Sequence, residues 1–99
     1  MDKVLSLIGL CKKAGRLASG SFAAEQAVKD GRAKLVIIAS DASENTKKLF
    51  YDKGTYRSIP IFVYGTKESL GQALGAKERA VAAVLDSGFA GMIEKTIKM

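Results

Sequence analysis

The chain has 99 residues, of which 47% are hydrophobic, and its formal net charge is +6. Length and composition predict one globular domain over residues 1–99 rather than a disordered chain. No apolar stretch approaches the roughly 20 residues of a membrane helix, and the amino terminus continues into a helical pattern without the apolar run of an export signal, so we expect neither. The positive charge lies mainly in the first half of the chain and favours a polyanionic partner, most often nucleic acid.

Hydrophobic periodicity and glycine positions predict five helices that alternate with short extended segments. Helices repeat apolar residues every three or four positions, whereas buried strands are unbroken apolar runs. The predicted helices cover residues 4–14, 20–30, 44–56, 67–74 and 88–98, and the extended segments cover residues 17–19, 35–39, 61–64 and 80–85. Ser21, Thr66 and Ser87 are the expected N-caps of the second, fourth and fifth helices, and Gly31 is expected to end the second.

This alternation predicts an α/β fold, a three-layer α/β/α sandwich around a small sheet that is largely parallel or mixed. The chain contains no linker, internal repeat or low-complexity segment that would divide it. We therefore expect a single compact unit.

The residue types that most catalytic and metal sites require are missing from the sequence. Histidine is absent, and Cys11 is the only cysteine. A zinc site, an internal disulfide and a histidine-based triad are therefore excluded, and no motif indicates serine–lysine or two-carboxylate chemistry. We expect a protein that is not an enzyme and holds no metal or cofactor. The lone thiol predicts a buried residue in a reducing, cytoplasmic compartment.

The segment over residues 12–21 is the first candidate contact for a polyanion. Three cations, Lys12, Lys13 and Arg16, precede the second helix. That helix starts at Gly20-Ser21, where free amides and the positive end of the helix dipole attract phosphate, and a glycine allows close approach. The alternative is an ordinary capped helix beside a solvated basic turn.

A second candidate is the connection over residues 75–81, which follows the fourth helix. It places Lys77 and Arg79 beside the small apolar residues Ala80 and Val81. Cations can meet phosphate while apolar atoms lie against an unstacked base, a combination that suits RNA better than regular duplex DNA. The alternative is an ordinary connecting loop.

A third candidate is Ser40-Asp41, which follows the first long strand. Ligands of α/β sheets usually bind at this edge, and the Asp41 carboxylate could accept hydrogen bonds from a base or from a lysine. The alternative role for Asp41 is to cap the third helix.

The order of several short motifs carries more information than any one of them. In chain order these are Gly9-Leu10, Ala14-Gly15, Leu17, Ser19-Gly20, Gly31, the segment over 33–39, Ile59-Pro60 and the segment over 70–75. Together they cover essentially the whole chain, which resembles the kink-turn RNA-binding superfamily of ribosomal proteins, the L7Ae and L30e group, in its bacterial YlxQ-like branch. The resemblance implies an α/β/α sandwich with a mixed sheet of about four strands and non-catalytic binding of kinked RNA.

The resemblance also implies where RNA binds and where this chain departs from the family. RNA contacts are implied at the start of the second helix, at Ser40-Asp41 and at the loop over residues 77–82. Many members carry Asn, Glu and Lys in the second helix, where Asn and Glu hydrogen-bond the sheared G·A pairs of a kink-turn. This chain has Phe22, Ala23 and Gln26 at those positions, so specificity for kink-turns should weaken or change while phosphate binding remains.

These observations predict a cytoplasmic, ribosome-associated protein that binds structured RNA, with kink-turns among the RNAs to consider. The alternative is a protein-interaction module on the same fold, with Phe22 in the partner surface. The candidate RNA-binding residues are Lys12, Lys13, Arg16, Gly20, Ser21, Phe22, Ala23, Gln26, Lys29, Ser40, Asp41, Lys77, Arg79, Ala80 and Val81.

Overall fold

The computed structural model describes residues 2–99 and arranges them as five helices and four strands. The helices are α1 (Lys3–Lys13), α2 (Ser21–Lys29), α3 (Glu44–Tyr56), α4 (Lys67–Ala73) and α5 (Ser87–Lys98). The strands are β1 (Leu17–Ser19), β2 (Leu35–Ile38), β3 (Ile61–Val63) and β4 (Val81–Val84). The predicted order of elements is confirmed, with small differences at their ends. None of the described helices is long and apolar enough to cross a membrane.

The four strands form one mixed sheet in the order β1-β4-β2-β3. Strand β3 runs parallel to β2, whereas β4 runs antiparallel to both of its neighbours. The two central strands are buried along their whole length, because they are covered on both faces. The sheet is therefore mixed, as the family resemblance implied.

Helices cover both faces of the sheet, which confirms the three-layer sandwich. Helices α1, α4 and α5 pack together on one face, and α2 and α3 pack together on the other. Helix α2 lies directly over β4 and β1. Its inward residues include Ala24 and Ala27, which are fully buried and allow a close approach of helix and sheet.

Strand direction decides which connections lie at the same edge of the sheet. In the ladders, Ser19 pairs with Ala82, and Ile38 pairs with both Val81 and Val63. The carboxyl ends of β1, β2 and β3 therefore lie together with the amino end of β4. We name this side of the sheet the carboxyl edge, and the opposite side, where β1, β2 and β3 begin and β4 ends, the amino edge.

Two of the expected helix caps are wrong, and both are shifted by one residue. Helix α2 is preceded by Gly20 as its N-cap, so Ser21 is already helical. With φ of +96°, Gly20 completes the turn from β1 into α2 by itself, in a conformation that other residues rarely adopt. At α5 the N-cap is Asp86 rather than Ser87, because the Asp86 carboxylate accepts from an amide of the first turn. The cap at Thr66 is confirmed.

Candidate functional site

The start of α2 lies at the carboxyl edge and presents amides that have no helical partner. Its N-cap is a glycine, so no side chain caps the helix. The first bond back along the helix runs from the amide of Ala24 to the carbonyl of Gly20, at 2.9 Å. The amides of Ser21, Phe22 and Ala23 precede that bond, and they sit at the positive end of the α2 dipole. This arrangement can bind an anion.

Arg79 lies directly beside the start of α2. Its Nε donates to Ser19 Oγ at 3.0 Å, and its Nη1 donates to the Glu78 carbonyl at 2.8 Å. A Cβ atom on Gly20 would lie 3.7 Å from the Arg79 side chain, so the guanidinium stem packs against this glycine. Two hydrogen bonds thus hold a cation next to the α2 amides.

The loop that carries Arg79 is fixed against α4. A Cβ atom on Gly71 would meet the Lys77 carbonyl oxygen at 2.6 Å and Glu78 Cα at 2.7 Å, so only a glycine allows this approach. The amide of Arg79 donates to the carbonyl of Lys67 at 3.0 Å. Lys77 itself is exposed. Backbone contacts with α4 therefore set the position of Arg79 before any ligand binds.

Ser40 and Asp41 join the same edge through the start of α4. Asp41 Oδ1 accepts from the amide of Lys67 at 2.8 Å, and the amide of Ser40 donates to the Gly65 carbonyl at 2.8 Å. Helix α3 is capped instead by Ser43. The alternative role of Asp41 as the cap of α3 is therefore wrong, and its carboxylate secures the turn between β3 and α4.

The most exposed apolar side chain near this edge is Phe22, whose exposed fraction is 81%. Gln26 is four residues further along α2, so it lies on the same helical face, and it is exposed as well. Ala23 is half-buried, and Ala80 on the neighbouring connection is also half-buried. An open aromatic ring therefore adjoins the unpartnered amides.

Several predicted residues lie away from the carboxyl edge. Arg16 is at the amino edge, because its carbonyl accepts from the amide of Leu85 at the end of β4. Lys12 and Lys13 line a cleft between α1 and α4. Lys29 is the last residue of α2 and pairs with Glu25 at 3.3 Å. The structure thus divides the predicted basic segment from the helix start that follows it in sequence.

Val81 and Cys11 are buried, which limits the contacts that either side chain can make with a ligand. Val81 is fully buried, and its carbonyl accepts from the Gly20 amide at 3.0 Å, so it supports the site from within the core. Cys11 is also fully buried, as predicted, and burial raises the pKa of its thiol to about 11. A thiol with such a pKa is a poor nucleophile at neutral pH. Residues 2–99 contain no group of three or more potential metal ligands.

Ser19 lies in the predicted segment over residues 12–21, but the sequence did not predict that it holds the guanidinium of Arg79. The two residues are 60 positions apart in the chain, and they meet because β1 pairs with β4. A serine at the end of a short strand gives no local signal of such a contact. Only the sheet order could have identified it.

Comparison with known proteins identifies similar sequences. Residues 2–93 match the family described as Ribosomal protein L7Ae/L30e/S12e/Gadd45. The RNA-binding protein YlxQ of Enterococcus faecium is 38% identical over 97 residues, which cover 98% of this chain and 93% of that protein. The RNA-binding protein YlxQ of Bacillus subtilis (strain 168) is 37% identical over 87 residues, which cover 88% of this chain and 87% of that protein.

Similar folds occur among solved structures. A protein of unknown function from Bacillus halodurans C superposes with a TM-score of 0.96 at 39% sequence identity, and the match covers 100% of both chains. A 15.5kD RNA binding protein of Giardia lamblia superposes with a TM-score of 0.79 at 21% identity, covering 99% of this chain and 90% of that one. At that identity the second likeness concerns the fold alone.

Proposed function

Because this chain belongs to the ribosomal protein L7Ae/L30e/S12e/Gadd45 family, we propose that it binds structured RNA at the carboxyl edge and does not act as a catalyst. Two relatives that cover most of the chain are named RNA-binding proteins. The observation that carries the proposal is the convergence of unpartnered α2 amides, the held guanidinium of Arg79 and the exposed ring of Phe22. The net charge of +6 supports a polyanionic ligand.

Phosphate binding is the first part of the proposed mechanism. The amides of Ser21, Phe22 and Ala23 and the guanidinium of Arg79 form a set of donors around one point of the carboxyl edge. Donors of this kind fix the position of a nucleic-acid backbone without reading its sequence. Because the donors are held by β1, β4 and α4, little conformational entropy is lost when RNA binds.

Base recognition is the second part. Phe22 has no hydrogen-bonding group in its side chain, so it cannot read the edges of paired bases. Its exposed ring can stack on an unpaired base, a contact worth about 1–3 kcal/mol in single-strand binding proteins. Gln26, on the same face, supplies one amide group for a base or a sugar. The proposed ligand is therefore RNA with a splayed-out base next to a backbone bend, and ribosomal RNA is the first source to test.

Exposure of Phe22 also favours one alternative function, contact with a protein partner. Phenylalanine is enriched in protein interfaces relative to the rest of the surface, and the exposed Phe22 ring could be buried against a partner. In that case the α2 amides would be incidental. The two functions make different demands on Ser21, whose amide matters for phosphate only.

A proline at position 21 tests the proposed function. Proline is well tolerated at the first position of a helix, so Ser21→Pro removes one amide donor while α2 is kept. We expect Ser21→Pro to weaken binding of a kinked ribosomal RNA hairpin roughly tenfold or more, because a hydrogen bond to a charged group is worth about 1.5–3 kcal/mol. Fluorescence anisotropy measures the affinity, and circular dichroism checks that the helix content is unchanged.

The matched control is Ser21→Ala, which removes the same hydroxyl but keeps the amide, and which should bind like the wild type. Equal affinities of the proline and alanine variants would contradict phosphate binding at this helix start. Phe22→Ala separates the alternatives. Loss of a protein complex without any change in RNA affinity would favour the protein-interaction module.

A further inference from the structure

A second surface, at the amino edge, has features that the proposed site does not use. A groove of about 720 Å³ lies between the α2–β2 and α3–β3 connections, which meet there because β2 and β3 are parallel. Its walls include Gly31, Lys34, Tyr56, Arg57, Ser58 and Pro60. We name it the amino-edge groove.

The groove carries the most exposed tyrosine of the described residues. Tyr56 ends α3, and 85% of its surface is exposed. An aromatic residue that packs against its own fold, such as Phe50 of the same helix, is buried instead. The guanidinium carbon of Arg57 lies 5.9 Å from the centroid of its ring, within the range of a cation–π contact. An aromatic ring with an adjacent guanidinium is a combination on which nucleic-acid bases stack.

The backbone beneath Tyr56 is fixed, so the ring is displayed by a built turn. A Cβ atom on Gly54 would lie 2.5 Å from the Ile61 side chain, so α3 packs directly on β3 at this point. The amide of Ile59 donates to the Gly54 carbonyl at 2.8 Å. Ser58 has a φ of +58°, a conformation that residues other than glycine rarely adopt and that directs the chain sharply into β3.

Charge around the groove is positive after its ion pairs are counted. Lys34 and Arg57 line the groove itself, and Arg16 lies on the same edge beside the end of β4. Asp52 lies beside Tyr56 and Arg57 and has no ion pair among the described residues, so it offsets one of these cations. Two other nearby acids already have cationic partners. Asp30 pairs with Arg32 at 3.4 Å, and Glu25 pairs with Lys29 and Lys53 at 3.3 and 3.9 Å.

We propose that the amino-edge groove binds a single-stranded segment of RNA, with one base stacked on Tyr56 and the flanking phosphates at Lys34 and Arg57. RNA is favoured over a protein partner because Tyr56 is the only large hydrophobic among the exposed residues of the groove, whereas a protein interface has an apolar core. The inference rests on the proposed function, since it takes RNA as the ligand.

The groove is separate from the carboxyl edge. Lys34 and Ser40 flank β2 and are six residues apart, which corresponds to about 20 Å along an extended strand. A folded RNA held at the carboxyl edge could therefore place a single-stranded flank in the groove only by passing along one side of the molecule. The two surfaces can be tested independently by variants on either edge.

Removal of the Tyr56 ring is the central test. The probe is a fluorescent single-stranded oligouridylate of about ten nucleotides, which has no structure of its own. We expect Tyr56→Ala to weaken its binding about tenfold, and Tyr56→Phe, which keeps the ring, to bind like the wild type. Tyr51→Ala is the matched control, because Tyr51 is also an exposed tyrosine of α3 but does not line the groove. An unchanged affinity of Tyr56→Ala would overturn the inference.

The charges give a second readout. The slope of log affinity against log salt is negative, and Lys34→Glu should make it shallower by about 0.7, the value for one phosphate contact with a single strand. Lys95→Glu, the same charge change on α5, is the control and should leave the slope almost unchanged. Equal effects of the two substitutions would mean that only net charge matters and would overturn the groove as a site.

Failure of this inference can be told apart from failure of the proposed function. Ser21→Pro alters only the carboxyl edge, so the two edges are independent if it weakens hairpin binding alone while Tyr56→Ala weakens oligouridylate binding alone. If only the hairpin responds, the groove is overturned and the proposed function stands. If only the oligouridylate responds, the groove stands and the carboxyl edge is overturned. Preference of the groove for polyglutamate over oligouridylate would overturn RNA as its ligand.

Discussion

Cys11 illustrates how a single residue is used for structure rather than for chemistry. Its side chain is fully buried at the end of α1, and its thiol donates to the Arg16 carbonyl at 3.0 Å. The thiol therefore links the end of the helix to the turn before β1. Burial raises the pKa of this group from 9.0 to about 11, and the nearby carboxylate of Asp86 adds to the effect.

This raised pKa predicts a loss of stability at alkaline pH. A group whose pKa is higher in the folded state stabilises the fold fully below its unfolded value, and this contribution is lost as the pH rises from about 9 through about 11. We expect the free energy of unfolding at pH 10 to be about 1 kcal/mol lower, through this thiol, than at pH 8. Urea unfolding of the wild type and of Cys11→Ala at several pH values measures this contribution. All other titrating groups are present in both proteins, so the difference between the two pH profiles reports the thiol alone. Parallel pH profiles of the two proteins would contradict the prediction.

At the scale of secondary-structure elements, two helical glycines have opposite roles. Gly71 in α4 touches the backbone of the loop that carries Arg79, and a Cβ atom there would collide with Lys77 and Glu78. Gly91 in α5 has nothing within 4 Å of its missing Cβ. The first glycine is required by packing between a helix and a loop, and the second leaves α5 with an avoidable loss of helix propensity.

Alanine substitution at these two positions should therefore shift stability in opposite directions. Gly71→Ala should lower the unfolding free energy by about 1–3 kcal/mol, the usual cost of forcing extra atoms into a packed contact. It should also weaken RNA binding, because the displaced loop carries Arg79. Gly91→Ala should raise the unfolding free energy by roughly 0.5–1 kcal/mol. Thermal melting measures both, and a stabilised Gly71→Ala protein would refute the close approach of loop and helix.

At the scale of the whole molecule, cations occur at both edges of the sheet rather than in one patch. The chain has 16 Lys and Arg residues against 10 Asp and Glu residues. Arg79 and Lys77 belong to the connection at the carboxyl edge, whereas Lys34, Arg57 and Arg16 lie at the amino edge. Repulsion among these charges opposes the compact state when no polyanion is bound.

Screening of this repulsion predicts that salt stabilises the free protein. The melting temperature should rise as sodium chloride increases from low concentration to about 0.15 M, where the Debye length is roughly 8 Å. A control protein with Lys48→Glu and Lys95→Glu has its formal net charge reduced from +6 to +2 and should show a smaller rise. Calorimetry of both proteins measures the effect. A melting temperature that falls with salt in the wild type would mean that specific ion pairs outweigh the net charge.

Much of the fold could be predicted from particular residues. The apolar run over residues 35–39 predicted a strand that is buried on both faces, and β2 is such a strand. Thr66 predicted the start of α4, where it forms a capping box with Ser69. The cap at Ser21 failed because propensity favours serine over glycine there, whereas the chain reversal between β1 and α2 requires the positive φ of Gly20.

The candidate site was predictable only in part. Residue type and spacing selected Gly20, Asp41 and Arg79, but not the hydrogen bonds that relate them to Ser19 and Lys67. The predicted basic segment before α2 was one group in sequence. Strand β1 has only three residues, but its length of about 10 Å is enough to place Arg16 and the α2 start at opposite edges of the sheet.

The sequence by itself determined the alternation of helices and strands, the composition of the core, the excess of positive charge and the resemblance to one family, because each depends on local pattern or on order along the chain. The tertiary structure alone decided which loops share an edge, since that depends on the antiparallel placement of β4 between β1 and β2. The same placement brings Arg79 to Ser19 across 60 residues. Strand direction is set by packing of the whole chain, and no short segment encodes it.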